Sequence, residues 1–427
     1  MLTTIRLSFV SALLTVLCST TSIAADSTFV TAGSMVDTLS GSVLDKPLIE
    51  IQGDRIVSVS SGESAPAGAN VIDLGQEATL IPGLADMHTH LTYDLGDFGY
   101  KSLAISETDE AIRGVANART TLMAGFTSAR NLGASGYADV SLREAIDSGR
   151  IPGPRLQVSG PSLSATGGHC DNNLLPDEYN ATAGGVADGP WAARAVVRKH
   201  RKYGADVIKI CATGGTLSRR TDPGARQYTD EELQAIIDEA HMLGMQVAAH
   251  AHGTEGITAL IKAGVDSVEH CSLMDEEGLR LARRNGTFLS VNAYTPKYML
   301  ANGLKNGILP ESLEKARKLS EKRFETYRML IRENAKVVFG SDSATIPHGD
   351  NAKQFAVYVE LGMTPMRAIQ SATTVAAESL GWEGQVGAIA PGYFADIIAV
   401  NGDPIDDITV MEDVRFVMKG GEIYKEL

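Results

Sequence analysis

The segment Ile81-Pro82-Gly83-Leu84-Ala85-Asp86-Met87-His88-Thr89-His90 decides the fold. Residues Leu84 to His90 alternate large and small side chains after a Pro-Gly corner, which is typical of a short buried strand. Because side chains two positions apart on a strand share a face, His88 and His90 point the same way and can bind one metal ion. On its own the pattern also fits two ordinary histidines near the end of a strand.

Short apolar runs alternate with helical patterns along the next 250 residues or so, which favours a βα architecture. One such helix spans Asp230–Leu243, with Thr229 as its N-cap and Gly244 just beyond its end. Eight strands with intervening helices predict an α/β fold, a (β/α)8 TIM-like barrel whose active site lies at the carboxyl ends of the strands. The eight predicted strands are Leu84–His90, Thr127–Leu132, Arg155–Ser159, Val207–Ala212, Gln246–His252, Ser267–Ser272, Thr287–Ala293 and Lys336–Ser341.

The segments on either side of the barrel contain only short β-type runs separated by turns. Phe29–Ile81 and Gly384–Leu427 are each too small to bury a core alone, so we expect both termini to form one small β-sandwich-like domain. A separate N-terminal domain is the alternative. The predicted organisation is a signal peptide at 1–25, a composite β domain at 26–82 plus 384–427, and a barrel at 83–383.

The first 25 residues have the pattern of a cleaved secretory signal. Arg6 precedes an apolar run from Leu7 to Cys18, and Ser22-Ile23-Ala24-Ala25 offers small residues for cleavage. The run is too short to span a bilayer, so the expected location is secreted or periplasmic.

The composition excludes several classes of partner. The formal net charge of −14 makes nucleic acid and anionic membrane surfaces poor candidates. Beyond the signal there are three cysteines, Cys170, Cys211 and Cys271. Their odd number, with two inside apolar runs, predicts buried free thiols instead of a disulfide framework.

Four more residues of metal-binding type follow at the ends of later predicted strands. Lys209 lies inside an apolar strand, where an unpaired cation is costly, and reaction with carbon dioxide would turn it into a carboxylate that bridges two metals. His250, His270 and Asp342 each close a strand. Taken singly, these residues also fit a salt-bridged lysine, core histidines and a helix-capping aspartate. Together with His88 and His90 they predict a site for two metals.

Imidazole and carboxylate ligands suit zinc better than manganese, cobalt or iron. Two such ions holding a hydroxide would create a nucleophile at neutral pH and polarise a carbonyl. Asp342 would take the proton and deliver it to the leaving amine. The sequence therefore predicts hydrolysis at a carbonyl.

These residues resemble the amidohydrolase superfamily of the binuclear, carboxylated-lysine type, over nearly all of the chain beyond the signal. The resemblance implies His88, His90 and Asp342 on one metal, His250 and His270 on the other, and N6-carboxylated Lys209 between them. The loops Ser164-Ala165-Thr166-Gly167-Gly168-His169 and Thr213-Gly214-Gly215-Thr216-Leu217-Ser218 and the run Phe339-Gly340-Ser341-Asp342 are similar to the Xaa-Pro dipeptidase and carboxypeptidase-like branch, and especially to its bacterial ochratoxin A amidohydrolases.

That branch implies cleavage of an amide whose amine side is an amino acid with a free carboxylate. It also implies a homo-oligomer, an octamer. Relatives often carry a tyrosine two residues after the strand-five histidine, where this chain has His252.

A substrate carboxylate needs a cation or a hydrogen-bond donor near the metals. His169 is a candidate catalytic residue that polarises the scissile carbonyl or holds the carboxylate, and a structural loop histidine is the alternative. His348 is a candidate gate. The candidate substrate contacts are His169, Leu217, Arg219, Arg220, Tyr228, His252 and Tyr294, each of which also has an ordinary structural explanation.

Two other functions fit the same residues. The metal pair would also serve a cyclic amide, lactone or organophosphate hydrolase, because fold does not fix function. A non-catalytic barrel scaffold is the remaining alternative, although a scaffold has no physical need for a lysine buried beside four histidines.

Overall fold

The computed structural model describes residues 27–426, so the predicted signal peptide at 1–25 lies outside the described residues. Strands and helices alternate through the middle of the chain, while strands alone occupy most of both ends. The strands in this part of the chain are β1 Thr28–Thr31, β2 Ser34–Asp37, β3 Ser42–Asp45, β4 Pro47–Gln52, β5 Arg55–Ser61, β6 Asn70–Asp73, β7 Ala78–Pro82, β8 Leu84–Thr89, β9 Phe126–Asn131, β10 Arg155–Val158, β11 Val207–Cys211, β12 Gln246–Ala251, β13 Ser267–His270, β14 Phe288–Ser290, β15 Val337–Val338, β16 Ile397–Asn401, β17 Phe416–Lys419 and β18 Glu422–Lys425.

The barrel strands are β8 to β15, and each coincides with one of the eight predicted strands. They pair in parallel along β8-β9-β10 and along β11-β12-β13-β14-β15. The two sets join through the Leu163 amide, which donates to the Lys209 carbonyl at 2.8 Å, and through the Met87 amide, which donates to the Phe339 carbonyl at 2.9 Å. These contacts close the ring, and the TIM-like barrel is confirmed.

The helices follow the barrel strands and cover them. The predicted helix at Asp230 begins there, and Thr229 and Glu232 form a capping box that satisfies two free amides of its first turn. The helices are α1 Glu107–Met123, α2 Ala138–Asp147, α3 Pro190–Lys202, α4 Asp230–Met242, α5 Thr254–Ala263, α6 Glu276–Asn285, α7 Tyr294–Asn302, α8 Pro310–Arg332, α9 Lys353–Glu360, α10 Pro365–Ser371 and α11 Thr374–Leu380, with short 3-10 turns at Gly99–Ala104, Asp177–Tyr179 and Ile408–Glu412.

Both ends of the chain share one small β domain. A six-stranded sheet has the order β18-β17-β16-β7-β2-β3, and a four-stranded sheet has the order β5-β4-β1-β6. Apolar side chains of the two sheets pack together, with Val30 and Ile49 from one and Leu80 and Phe416 from the other. The N-terminal strand β7 pairs with the C-terminal strand β16, so the alternative of a separate N-terminal domain is wrong.

This domain positions the first metal-type residues. Strand β7 ends at Pro82, Gly83 intervenes, and β8 begins at Leu84, so a direct continuation of the small sheet carries His88 into the barrel. A side chain at Gly83 would collide with Thr127 of β9, because its Cβ would lie 2.1 Å from Thr127 Oγ1. Among residues 27–426, no helix has the length and apolar character needed to cross a membrane.

Candidate active site

Three of the predicted metal-type residues meet at the junction of β8 with the segment after β15. One ligand atom from each of His88, His90 and Asp342 lies within 4.8 Å of the others. Asp342 Oδ1 is 3.5 Å from His88 Nε2 and 3.3 Å from His90 Nε2. The spacing of two residues on one strand therefore does place both imidazoles toward one carboxylate.

Four further histidines form a continuous set of ring contacts beside this trio. The ring centroids of His88 and His270 lie 5.0 Å apart, and those of His250 and His270 lie 4.6 Å apart. His169 packs 4.2 Å from His250, and His252 packs 4.9 Å from His270. His88 and His270, which are 182 positions apart in the sequence, thus belong to one histidine cluster at the carboxyl ends of the barrel strands.

Lys209 lies inside β11 and is buried. Burial lowers the pKa of Lys209 to about 8, against the opposing charges of Glu269 and Asp342. Within residues 27–426 no carboxylate pairs with its amine at salt-bridge distance. The alternative of a lysine that is simply salt-bridged at the barrel mouth is therefore not what the structure shows.

A buried ionic network fixes the orientation of His88. Glu269 Oε2 lies 2.8 Å from His88 Nδ1, and Arg130 Nη2 donates to Glu269 Oε1 at 2.7 Å. Arg130 Nε also donates to the Met87 carbonyl, and Ser267 Oγ donates to Glu269. A carboxylate at Nδ1 keeps the proton there, which leaves the Nε2 lone pair of His88 facing Asp342.

Asp86 ties the same strand to the opposite side of the site. Its carboxylate accepts hydrogen bonds from the amides of His88 and Ser341 at 3.1 and 2.9 Å and from Asn351 Nδ2 at 2.7 Å. Burial raises the pKa of Asp86 to about 6, although these donors oppose the shift. Asp86 therefore holds β8 against the segment that carries Asp342.

The backbone at two candidate ligands is left-handed. Asp342 has a φ of 59° and His270 a φ of 72°, a region that non-glycine residues seldom occupy. Such conformations cost about 1–3 kcal/mol each and persist where the surrounding structure enforces them, commonly at functional sites.

The charges in the cluster suit metal binding. Burial lowers the pKa of His88 to about 4 and holds those of His250, His252 and His270 well below the usual range, so these imidazoles are neutral near pH 7. Burial acts to raise the pKa of Asp342, but the neighbouring His88 and His90 bring it to about 2.

His169 reaches the cluster from the loop after β10, as the sequence predicts. Its backbone amide donates to Gln227 Oε1, and its Nδ1 lies 2.8 Å from Ser218 Oγ in the loop after β11. Its ring rests on Gly215, where an added Cβ would come within 2.1 Å of His169 Cε1. Burial, followed by the positive charge of Lys209, lowers the pKa of His169 to about 3.

The expectation of three free thiols is wrong for two of them. Cys170 and Cys211 form a disulfide, and only Cys271, which is buried, is free among the described residues. The pair is 41 residues apart in sequence, but the barrel brings the two Cα atoms to 6.0 Å. The disulfide joins the residue after His169 to the strand that carries Lys209.

The remaining predicted substrate contacts have other partners. Arg219 pairs with Glu311 at 3.3 Å, and Arg220 is exposed. Leu217 packs with Met299 and its apolar neighbours, and the buried Tyr228 belongs to the barrel core. Tyr294 packs 6.0 Å from Tyr298, and Nε2 of the candidate gate His348 lies 2.8 Å from the Tyr93 carbonyl.

Several residues at this site were not identified from the sequence. Glu269 and Arg130 are charged residues inside apolar strands, which is the same signal that singles out Lys209. That signal would have been sufficient to find both of them. Arg323 and Ser272 had no such signal, because Arg323 lies on the long charged helix α8 and Ser272 on a loop.

The donor set fits divalent metal ions. Nε2 of His88 and Nε2 of His90 both face one oxygen of Asp342, and these imidazoles and this carboxylate supply lone pairs of the kind that zinc prefers. With Lys209, His250 and His270 at the same end of the barrel, there are more residues of this type than a single ion needs.

The family model of the amidohydrolase family matches residues 79–424, and the chain belongs to this family of hydrolases, whose members generally bind divalent metals. It is 34% identical to ochratoxinase of Aspergillus niger, over 81% of this chain and 75% of that protein.

Two solved structures are similar over almost the whole molecule. A Xaa-Pro dipeptidase with methionine bound in its active site has 37% identity and a TM-score of 0.87, covering 93% of this chain and 100% of its own. A prolidase in complex with N-methylphosphonate-L-proline has 32% identity and a TM-score of 0.85, covering 94% and 100%. The chain is therefore a hydrolase that acts on amide bonds.

Proposed function

We propose that this protein releases a C-terminal amino acid from a dipeptide or an N-acyl amino acid, ochratoxin A-like conjugates included. The observation that carries the proposal is the convergence of six metal-type residues and His169 at one end of the barrel. The relatives support the substrate class, because one is an ochratoxinase and two were solved with an amino acid or an amino-acid derivative bound.

The six residues divide between two divalent ions, for which zinc is the best match. His88, His90 and Asp342 would hold one ion, His250 and His270 the other, and N6-carboxylated Lys209 both. When bound, the metals lower the pKa of water so that hydroxide is available at neutral pH, and they act as Lewis acids on the substrate carbonyl.

The environment of Lys209 favours its carboxylation. Burial lowers the pKa of this amine to about 8, so an appreciable fraction is neutral near pH 7. The neutral amine attacks carbon dioxide, an N–C bond forms, and the amine proton passes to solvent. The resulting carbamate replaces a buried cation by an anion that matches two divalent ions.

Asp342 moves the proton of the reaction. With a pKa of about 2 it is ionised near pH 7 and accepts a proton from the attacking water. The same carboxyl group then donates that proton to the leaving nitrogen, which departs as the amine of the released amino acid.

His169 orients the scissile carbonyl. If Ser218 donates to Nδ1, the neutral ring carries its proton on Nε2 and can donate it to the carbonyl oxygen.

We also propose that the protein is secreted or periplasmic and that it forms a homo-oligomer, an octamer.

The test is a screen of dipeptides and N-acyl amino acids, read by the amino acid released, together with metal analysis of the same preparation. We expect close to two metals per chain, loss of turnover after chelation, and recovery on adding zinc. A metal-free preparation with full activity, or release from none of the compounds, would refute the proposal.

A further inference from the structure

A buried arginine, Arg323, lies beside the histidine cluster and takes no part in the chemistry proposed above. Arg323, on α8, is 5% exposed. Its Nε donates to Ser272 Oγ at 2.9 Å, and the same oxygen lies 2.7 Å from His252 Nδ1. One turn along the helix, Tyr327 Oη donates to the His270 carbonyl at 2.8 Å. Helix α8 therefore packs Arg323 directly against the ends of β12 and β13.

The charge of Arg323 has no counterion in the described part of the chain. No carboxylate lies within salt-bridge distance of it there, and its two terminal amino groups make no hydrogen bond with residues 27–426. Arg130, which is similarly buried, pairs with Glu269 at 2.7 Å. An arginine keeps its proton, and a charge that is largely removed from water without a partner is unfavourable, so the location of Arg323 calls for an anionic ligand.

The other cations near the loops are already engaged. Arg219 pairs with Glu311 and donates to Tyr100. Lys315 donates to the carbonyls of Gly215, Ser218 and Thr221. Lys209, the other buried cation without a counterion among residues 27–426, is the residue assigned to the carbamate, which leaves Arg323 as the candidate partner for a substrate anion.

We propose that Arg323 binds the α-carboxylate of the amino-acid half of the substrate. The inference rests on the proposed function. Ser272 holds Nε, which fixes the plane of the guanidinium and leaves the terminal amino groups for a carboxylate, whose two oxygens match that planar geometry.

The position of Arg323 suits an exopeptidase. The α-carboxylate is attached to the same carbon as the scissile nitrogen, so its partner must lie within a few ångströms of the reacting carbonyl. Arg323 is linked through Ser272 to His252, whose ring packs 4.6 Å from that of His250. A substrate whose chain continues beyond this residue has no carboxylate there and leaves the arginine uncompensated.

The test compares N-benzoyl-L-phenylalanine with N-benzoyl-L-phenylalaninamide, which differ only in the carboxylate, by measuring released benzoate. We expect holo wild type to prefer the acid by about 100-fold or more in kcat/KM, the scale of a buried charged pair. R323M should lower kcat/KM for the acid by about 100-fold and leave the amide within about threefold, so the preference collapses. R323K should keep part of it.

Control variants distinguish carboxylate binding by Arg323 from a purely structural role and from misfolding. R328M removes an exposed arginine of the same helix and should keep the full preference. S272A removes the hydroxyl that holds Arg323 Nε but keeps the cation, so it should reduce the preference for the acid less than R323M does. Metal content and the unfolding midpoint of each variant report whether the fold is intact, and if R323M does not fold, R323K supplies the ratio.

Equal losses on acid and amide in the folded arginine variant would overturn the inference while leaving the amide hydrolase intact. If wild type cleaves neither compound, the proposed function is judged by the substrate screen described above. Calorimetric titration of N-benzoyl-L-phenylalanine into holo wild type and R323M then decides the role of Arg323. Weaker binding to the variant supports the role, and equal binding or none refutes it.

Discussion

The two halves of the histidine cluster are supported very differently. In the braced half, formed by His88, His90 and Asp342, Glu269 fixes one imidazole and Asp86 ties the strand to the segment after β15. In the open half, formed by His250, His252 and His270, the rings pack on one another and have neutral partners: His252 Nδ1 lies 2.7 Å from Ser272 Oγ, and His250 Nε2 lies 3.3 Å from the Gly214 carbonyl. The difference indicates that charged partners fix the ligand geometry of the first half, whereas neutral groups hold the rings of the second half.

The largest expected effect comes from removing the residue that joins the halves. K209A should lower turnover at least about 1,000-fold, as expected when one member of a catalytic unit is lost. Short carboxylic acids with added zinc should restore part of the activity, because they replace the carbamate. K262A, at an exposed lysine on α5, is the control. Unchanged turnover in K209A would remove this lysine from the site.

The ionic network that holds His88 in the braced half can be weakened without changing the size of any side chain. E269Q keeps the size of the side chain but removes the charge opposite His88 and Arg130, so metal affinity should fall about 10- to 100-fold. Competition with a chromophoric chelator measures that affinity directly. E276Q, at an exposed position of α6, should bind metal as wild type does. Equal affinities for both variants would show that the ionic network does not support the metal site.

Acid should destabilise the metal-free protein through its neutral histidines. The folded state lowers the pKa of His88 to about 4 and that of His169 to about 3, from near 6.5 when unfolded. Between these values the unfolded chain binds more protons, so stability falls as pH drops from about 7 to 4. At pH 5 the loss is on the order of 2 kcal/mol per histidine. Denaturant midpoints of the chelated protein at pH 7 and pH 5 measure it. H169N should show a smaller loss than wild type, and an identical loss would exclude His169 as a contributor.

The smallest effect is expected far from both halves. T229A removes the N-cap of α4 and should cost about 1 kcal/mol of unfolding free energy. Turnover and metal content should stay at wild-type values, as measured on the same preparation. A catalytic defect in T229A would show that the distinction between scaffold and site fails at this helix.

The barrel could be predicted from the sequence, and so could the strand ends at which the metal-type residues lie. Alternating apolar runs gave all eight strands, because burial on both faces leaves a clear local pattern. The disulfide between Cys170 and Cys211 was missed because only the closed barrel brings those residues together. Arg219 and Arg220 are candidates in the sequence because they follow a glycine-rich loop, whereas Arg323 has no local signal, because the packing of α8 decides that it is buried.

The pairing of β7 with β16 has a consequence for how the molecule is assembled during synthesis. Thr79 Oγ1 donates to the Gly402 carbonyl, a contact that spans 323 residues. The strand that leads into His88 can pair with β2 early, but it acquires its second neighbour, β16, only after residues 397–401 have been synthesised. Closing so long a loop is entropically costly and slow. A chain truncated before residue 397 would keep every candidate metal ligand and still lack one of the two strands that pair with β7.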